Sequence, residues 1–204
     1  MEKRIISLRI FLLLTAMILA IPAQGQSHPT SQPISLHVIR QQQFYEQIGQ
    51  QKKLLLGTPQ ARQAPLLFRM AELHQQYAIY LDHIAMKERL NRKLHANSHG
   101  RLSQQQLRNR AKAQRKQAIS IYFRIIKNHP KAKHLCESYH YLGKMFWEIG
   151  QEKMALRVYQ TLLRNFKSQP CRFIPHAYVA FGEFYFRRNS IIRALQIYKQ
   201  VLYH

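Results

Sequence analysis

Tyr139-His140-Tyr141-Leu142-Gly143-Lys144-Met145-Phe146, with Ala155 and Tyr159 after it, is answered by Tyr178-Val179-Ala180-Phe181-Gly182-Glu183-Phe184-Tyr185, with Ala194 and Tyr198 after it. Tyr139, Leu142, Gly143, Phe146, Ala155 and Tyr159 thus recur at one constant offset as Tyr178, Phe181, Gly182, Tyr185, Ala194 and Tyr198. A fixed offset of this kind marks a repeat architecture and outranks any local propensity. Ala118 and Tyr122 precede Ala155 and Tyr159 by nearly the same interval, and Pro130 closes that helix, which adds the second half of an earlier unit. The spacing predicts a helical hairpin. Tyr139, Leu142, Gly143 and Phe146 share one face of a first helix, where glycine lets a partner approach closely. Ile149-Gly150-Gln151 makes the turn, and Ala155 and Tyr159, four apart, form the facing stripe of the second helix.

Upstream, Pro65 suits the first turn of a helix that carries Leu66, Met70, Leu73, Tyr77, Tyr80, Leu81 and Ile84 on one face. From Lys87 to Gln117 there are ten Lys or Arg residues and one acid, Glu88, with Asn97-Ser98-His99-Gly100 as a turn in the middle. Ser103 with Gln106 three positions on reads as a capping box. Leu36, Ile39, Phe44, Ile48 and Leu55 form a rough helical stripe that Gly57-Thr58-Pro59 terminates. Lys3 and Arg4, the apolar stretch Ile10 to Ile21, Pro22 and then Ala23-Gln24-Gly25 follow the order of a secretory signal peptide, with cleavage expected before Gln26. That apolar stretch falls short of the roughly 20 residues that a transmembrane helix needs.

The whole chain has 204 residues, 46% of them hydrophobic, which suffices for a core. Seven glycines and eight prolines disfavour collagen-like and turn-dense all-β folds. Lys plus Arg number 32 against 9 Asp plus Glu, a formal charge of +23, and removal of Lys3, Arg4, Arg9 and Glu2 with the signal segment still leaves +21. Such a chain is drawn to anionic surfaces and polymers.

At its repeated residues the chain resembles the tetratricopeptide-repeat family, most clearly over 136–204 and in the half unit 112–130. The resemblance implies an all-α fold of antiparallel hairpins stacked as an α-solenoid. The chain departs from the family in three ways: its units are several positions longer than the usual length of roughly 34 residues, Lys167 stands at a closing-proline position, and Leu162 stands where a small residue is usual. The implied organisation is a signal peptide (1–25), a Gln-rich leader with one helix (26–60), and a repeat domain (61–204) with a basic connection at 87–117 and clear repeats at 136–168 and 175–204. Leu66-Leu67-Phe68-Arg69-Met70-Ala71-Glu72-Leu73 is further similar to secreted bacterial tetratricopeptide proteins of envelope and gliding-motility complexes. That likeness implies an exported, periplasmic or envelope-associated scaffold. The family's groove positions fall here on His140, Lys144, Trp147, Val179, Glu183, Phe186 and Arg187, an aromatic-plus-Arg set of the type found in binding hot spots. Trp147 reads equally well as core.

Chemistry is sparse. His134, Cys136 and His140 are the best local metal-ligand cluster, but no fourth ligand accompanies them and no metal or other cofactor is expected. No Gly-rich phosphate loop, His-Glu-x-x-His run or nucleophile elbow occurs, and the eight acids that remain after the signal segment leave little for carboxylate catalysis, Glu72 and Glu183 reading as solvated or capping residues ahead of groove residues. The chain is therefore expected not to be an enzyme. Export places Cys136 and Cys171 in an oxidising compartment, which favours a bridge. Against it, the axes of packed helices lie about 8 to 10 Å apart, so the pairing stays open. Arg92, Lys93, Arg101, Arg108, Arg110, Lys112, Arg115 and Lys116 are the polyanion-binding candidates, for anionic lipid or a glycan polymer. Nucleic acid is disfavoured, because 87–117 contains no aromatic residue for base stacking. Ile192, Leu195, Tyr198, Val201 and Leu202 form an apolar helix face that a longer array, a partner or a second copy of the chain would cover.

Overall fold

The computed structural model describes residues 36–94 and 103–203. The expected signal segment, the leader before Leu36, the expected turn at Asn97-Ser98-His99-Gly100, and Arg101 lie outside the described residues. Those residues form seven α-helices and no strand: α1 (Leu36–Leu56), a 3-10 turn (Gln60–Arg62), α2 (Ala64–Leu94), α3 (Gln104–Asn128), α4 (Leu135–Glu148), α5 (Glu152–Asn165), α6 (Ile174–Phe186) and α7 (Ile191–Val201). From α2 onward each helix packs on the next in chain order.

Helix α1 stops at Gly57-Thr58-Pro59, where the Thr58 hydroxyl donates to the Leu54 carbonyl at 2.7 Å. Its predicted stripe is only half used. Ile48 is buried and Phe44 stacks on Tyr77 at 4.9 Å, whereas Leu36 and Ile39 remain exposed. Helix α2 spans 31 residues, roughly 46 Å at 1.5 Å per residue. The basic stretch 87–117 is not a connection, contrary to the sequence reading. Its first part continues α2 as far as Leu94 and its last part belongs to α3 from Gln104 on. The reason is local and tertiary together. Gln106 N–H donates to Ser103 Oγ at 3.2 Å and Ser103 N–H to Gln106 Oε1 at 2.7 Å, closing the capping box, while Leu107 and Ala111 bury against Tyr77, Leu81 and Ile84.

The two hairpins α4–α5 and α6–α7 agree down to their hydrogen bonds. Gln151 N–H reaches Phe146 O at 2.8 Å, and Ser190 N–H reaches Tyr185 O at 3.0 Å, one repeat later. Gly150 takes φ +83° in the first turn and Asn189 φ +59° at the same place in the second, a region that glycine and asparagine enter most readily. A Cβ on Gly143 would stand 2.8 Å from Tyr159 Cζ, and one on Gly182 would stand 2.6 Å from Tyr198 Cδ1. The glycine therefore seats the tyrosine ring of the second helix.

The α2–α3 pair follows the same plan at a larger offset. Ala71, fully buried on α2, takes the place that Gly143 holds on α4. His134, just ahead of α4, stacks on Phe68 of α2 at 4.6 Å, and Phe173, just ahead of α6, stacks on His140 of α4 at 4.3 Å. The interval from Phe68 to His140 equals that from Ala71 to Gly143, and the interval from His134 to Phe173 equals that between the two hairpins. A ring carried by each approaching loop thus closes on the first helix of the preceding pair.

Candidate functional site

The groove positions projected from the sequence lie on α4 and α6, with Arg187 just past the end of α6, and in matching registers: His140 with Val179, Lys144 with Glu183, Trp147 with Phe186. His140 does not face a groove. It is 7% exposed because Phe173 lies flat across it, and its Nδ1 has no hydrogen-bond partner. Burial, together with the nearby His176, Lys144 and Arg172, pushes its pKa down to about 3. Lys144 and Val179 are accessible, and Phe186 is 54% exposed. Trp147 is half-buried beneath Arg187, whose guanidinium carbon sits 4.7 Å from the indole centroid while Nη1 donates to Glu152 Oε1 at 3.0 Å. Arg187 thus ties the end of α6 to both α4 and α5. Glu183 accepts the Tyr198 hydroxyl at 2.9 Å, and Glu72 pairs with Arg69 at 3.4 Å.

The His140 environment gives stability a pH dependence. A histidine whose native pKa lies below its unfolded value of about 6.5 leaves stability intact above that pH and erodes it as pH falls towards 3. His74, also depressed by burial, acts in the same direction. Urea midpoints taken between pH 6.5 and 5, above the carboxylate range, are expected to fall, with His140 accounting for up to about 1.4 kcal/mol per pH unit. His140→Phe, which keeps a ring under Phe173, flattens that slope. An unchanged slope would mean that His140 is protonated in the native state.

The basic candidates separate into groups. Arg108, Lys112 and Lys116, at four-residue spacing on α3, form one exposed stripe, whereas Arg110 lies on another side of the helix, near enough to Tyr77 to act on its hydroxyl. Arg115 is not available to a polyanion. Its side chain is 11% exposed and joins three helices, donating to Asp82 at 2.5 Å and Glu148 at 2.6 Å. Arg92 and Lys93 belong to the last turn of α2. Charge counting could not see pairing between positions so far apart in the chain. Most described acids are likewise engaged: Glu137 with His134 and Arg172, Glu148 with Arg115 and Lys144, Glu152 with Arg187 and Arg188. The acids serve inter-helix links, so the surface they leave is overwhelmingly cationic.

Cys136, at the start of α4, and Cys171, in the loop before α6, are joined, with Cα atoms 6.0 Å apart. The axis separation of packed helices does not govern them, because they sit where the loop before α6 crosses the beginning of α4. The bond removes a thiolate from the His134–Cys136–His140 cluster. Among the described residues no three His, Cys, Asp or Glu side chains are placed to hold a metal. On α7, Ile192 and Leu195 are exposed, as is Leu202 just past its end, whereas Ala194 is buried. No family model, curated protein or solved structure matches this chain.

Proposed function

We propose that the chain is a tetratricopeptide-like α-solenoid that works without catalysis as an exported adaptor, periplasmic or envelope-associated, holding a protein partner on the face of α4 and α6. The observation that carries this reading is the register match of Lys144 and Trp147 with Glu183 and Phe186 on successive first helices, bridged by Arg187 over Trp147. That match lines up two aromatic side chains and two cations as one strip, while the exposed Val179 adds apolar surface. A cationic rim around apolar steps suits a partner segment that is itself acidic. A photo-crosslinking residue at Val179 or Phe186, tested in the producing cell, is expected to give one discrete adduct that Gln160 on α5 does not give. Equal labelling from Gln160 would remove the α4–α6 face from the reading.

A second reading rests on the stripe Arg108, Lys112 and Lys116: binding of anionic lipid or a glycan polymer. Juxtaposed cations contribute about 1 kcal/mol each at an anionic membrane surface. Replacing all three by Gln is expected to weaken capture on phosphatidylglycerol vesicles at low salt by roughly a hundredfold, with the far-ultraviolet spectrum unchanged. Unaltered capture would make the stripe a solvated face. Self-association through α7 belongs to the same proposal, and the high like charge of two copies opposes it at low salt.

A further inference from the structure

Two successive junctions in this fold are built alike, and they differ at one spot. At the junction of α4 with the loop before α6, Cys136 and Cys171 fill the space between the elements, and Arg172 Nη2 donates to Glu137 Oε1 at 2.9 Å. The intervals that match Phe68 to His140 and His134 to Phe173 also fix the counterparts one junction earlier. They are Ala64 for Cys136, Pro65 for Glu137, Ala132 for Cys171 and Lys133 for Arg172. Two alanines replace the disulfide, and a proline replaces the carboxylate.

The consequence is a cavity of about 470 Å³ there, lined by Ala61, Ala64, Pro65, Ile125 and Ala132 with Arg62, Lys133 and His134. Its walls are apolar and its cations are unmatched. Among the described residues neither Arg62 nor Lys133 has a side-chain hydrogen bond or ion pair, whereas Arg172 does. His134 is held in place by stacking on Phe68 and by Glu137. The volume lies within the range of small-molecule sites, roughly 300–1,000 Å³.

We propose that this cavity binds the apolar tail of a fatty carboxylate, whose head group takes beside Lys133 and Arg62 the place that Glu137 holds beside Arg172. The occupant is an anionic single-chain amphiphile, because an apolar slot with two unpaired cations favours a tail and an anion together. The site is separate from the α4–α6 strip and does not rest on the adaptor reading.

Displacement of dansyl-labelled undecanoate by octanoate, decanoate and laurate tests it on the full chain. One site is expected, with each added methylene tightening binding by roughly fourfold until the slot is full. Decanol and decyltrimethylammonium should compete at least tenfold less well than decanoate. Lys133→Gln should weaken decanoate by roughly tenfold, while Lys153→Gln/Arg157→Gln, which removes two exposed cations of α5 away from the cavity, leaves it unchanged, and Ala132→Phe or Ala61→Phe should abolish it. The exposed Lys133 and Ala61 positions keep the test informative if Ala132→Phe fails to fold. Affinity independent of chain length, equal binding of the cationic amphiphile, or equal loss in Lys153→Gln/Arg157→Gln would overturn the proposal in favour of diffuse attraction to a basic protein.

Discussion

Gly143→Val is expected to lower the unfolding free energy by roughly 2–3 kcal/mol, near the upper end of overpacking costs. Even a bare Cβ there would stand 2.8 Å from the Tyr159 ring, and that ring is 4% exposed and cannot swing into solvent without emptying its own site. Tyr159→Ala removes the ring and costs about 3–5 kcal/mol as a large-to-small core change. The combination decides the mechanism. If the glycine exists to admit the ring, the double variant Gly143→Val/Tyr159→Ala loses clearly less than the sum of the singles, because valine then occupies space that the tyrosine has left. Urea denaturation of the three variants measures this, and strict additivity would show that Gly143 has another reason to be glycine. Gly182 and Tyr198 should show the same coupling with a smaller amplitude, since Tyr198 is only partly buried.

The same pair explains why so much of the hairpin architecture could be read from residues alone. A small residue opposite a large one, repeated with a turn between, carries its packing partner in its own spacing, and Gly143–Tyr159 and Gly182–Tyr198 meet as that spacing predicts. Helix ends with a chemical marker were equally legible, as at Ser103 with Gln106 and at Gly57-Thr58-Pro59. Features that depend on a distant partner were not. The resemblance alone puts His140 at a groove position, and the loop that brings Phe173 across it makes it interior. Arg115 counted as one more cation in a basic run until α2 and α4 placed Asp82 and Glu148 beside it. Asn189 repeats the backbone of Gly150 without its residue type, so the second turn carried no glycine to announce it. In the α2–α3 pair the second helix shows its kinship by spacing, through Ala118 and Tyr122, whereas the long helices stretch the interval from Ala71 to Gly143 well past that of the hairpins, so spacing does not reveal the first.

Removing the Cys136–Cys171 bond is the other large perturbation. A cross-link between residues 35 apart withdraws loop entropy from the unfolded chain worth about 4 kcal/mol in the chain-entropy model. The native side offers a second contribution, because Cys171 lies two positions before Phe173 and the bond holds the loop that presses Phe173 onto His140. Cys136→Ser/Cys171→Ser is therefore expected to lose about 3–4 kcal/mol and to loosen the α6–α7 hairpin first, while α2 and α3, which share a core of their own through Tyr77, Leu81 and Leu107, retain protection. Hydrogen exchange on oxidised and double-serine protein separates the two contributions. Uniform loss of protection across all helices assigns the effect to the unfolded chain alone. Selective loss in α6 and α7, with the His140 ring opened to solvent and its depressed pKa relieved, assigns part of it to the clamped loop. A bond that merely shortened the unfolded chain would leave the pH dependence of stability as it was. One that keeps Phe173 on His140 would, when cut, flatten that dependence between pH 6.5 and 5 as His140→Phe does.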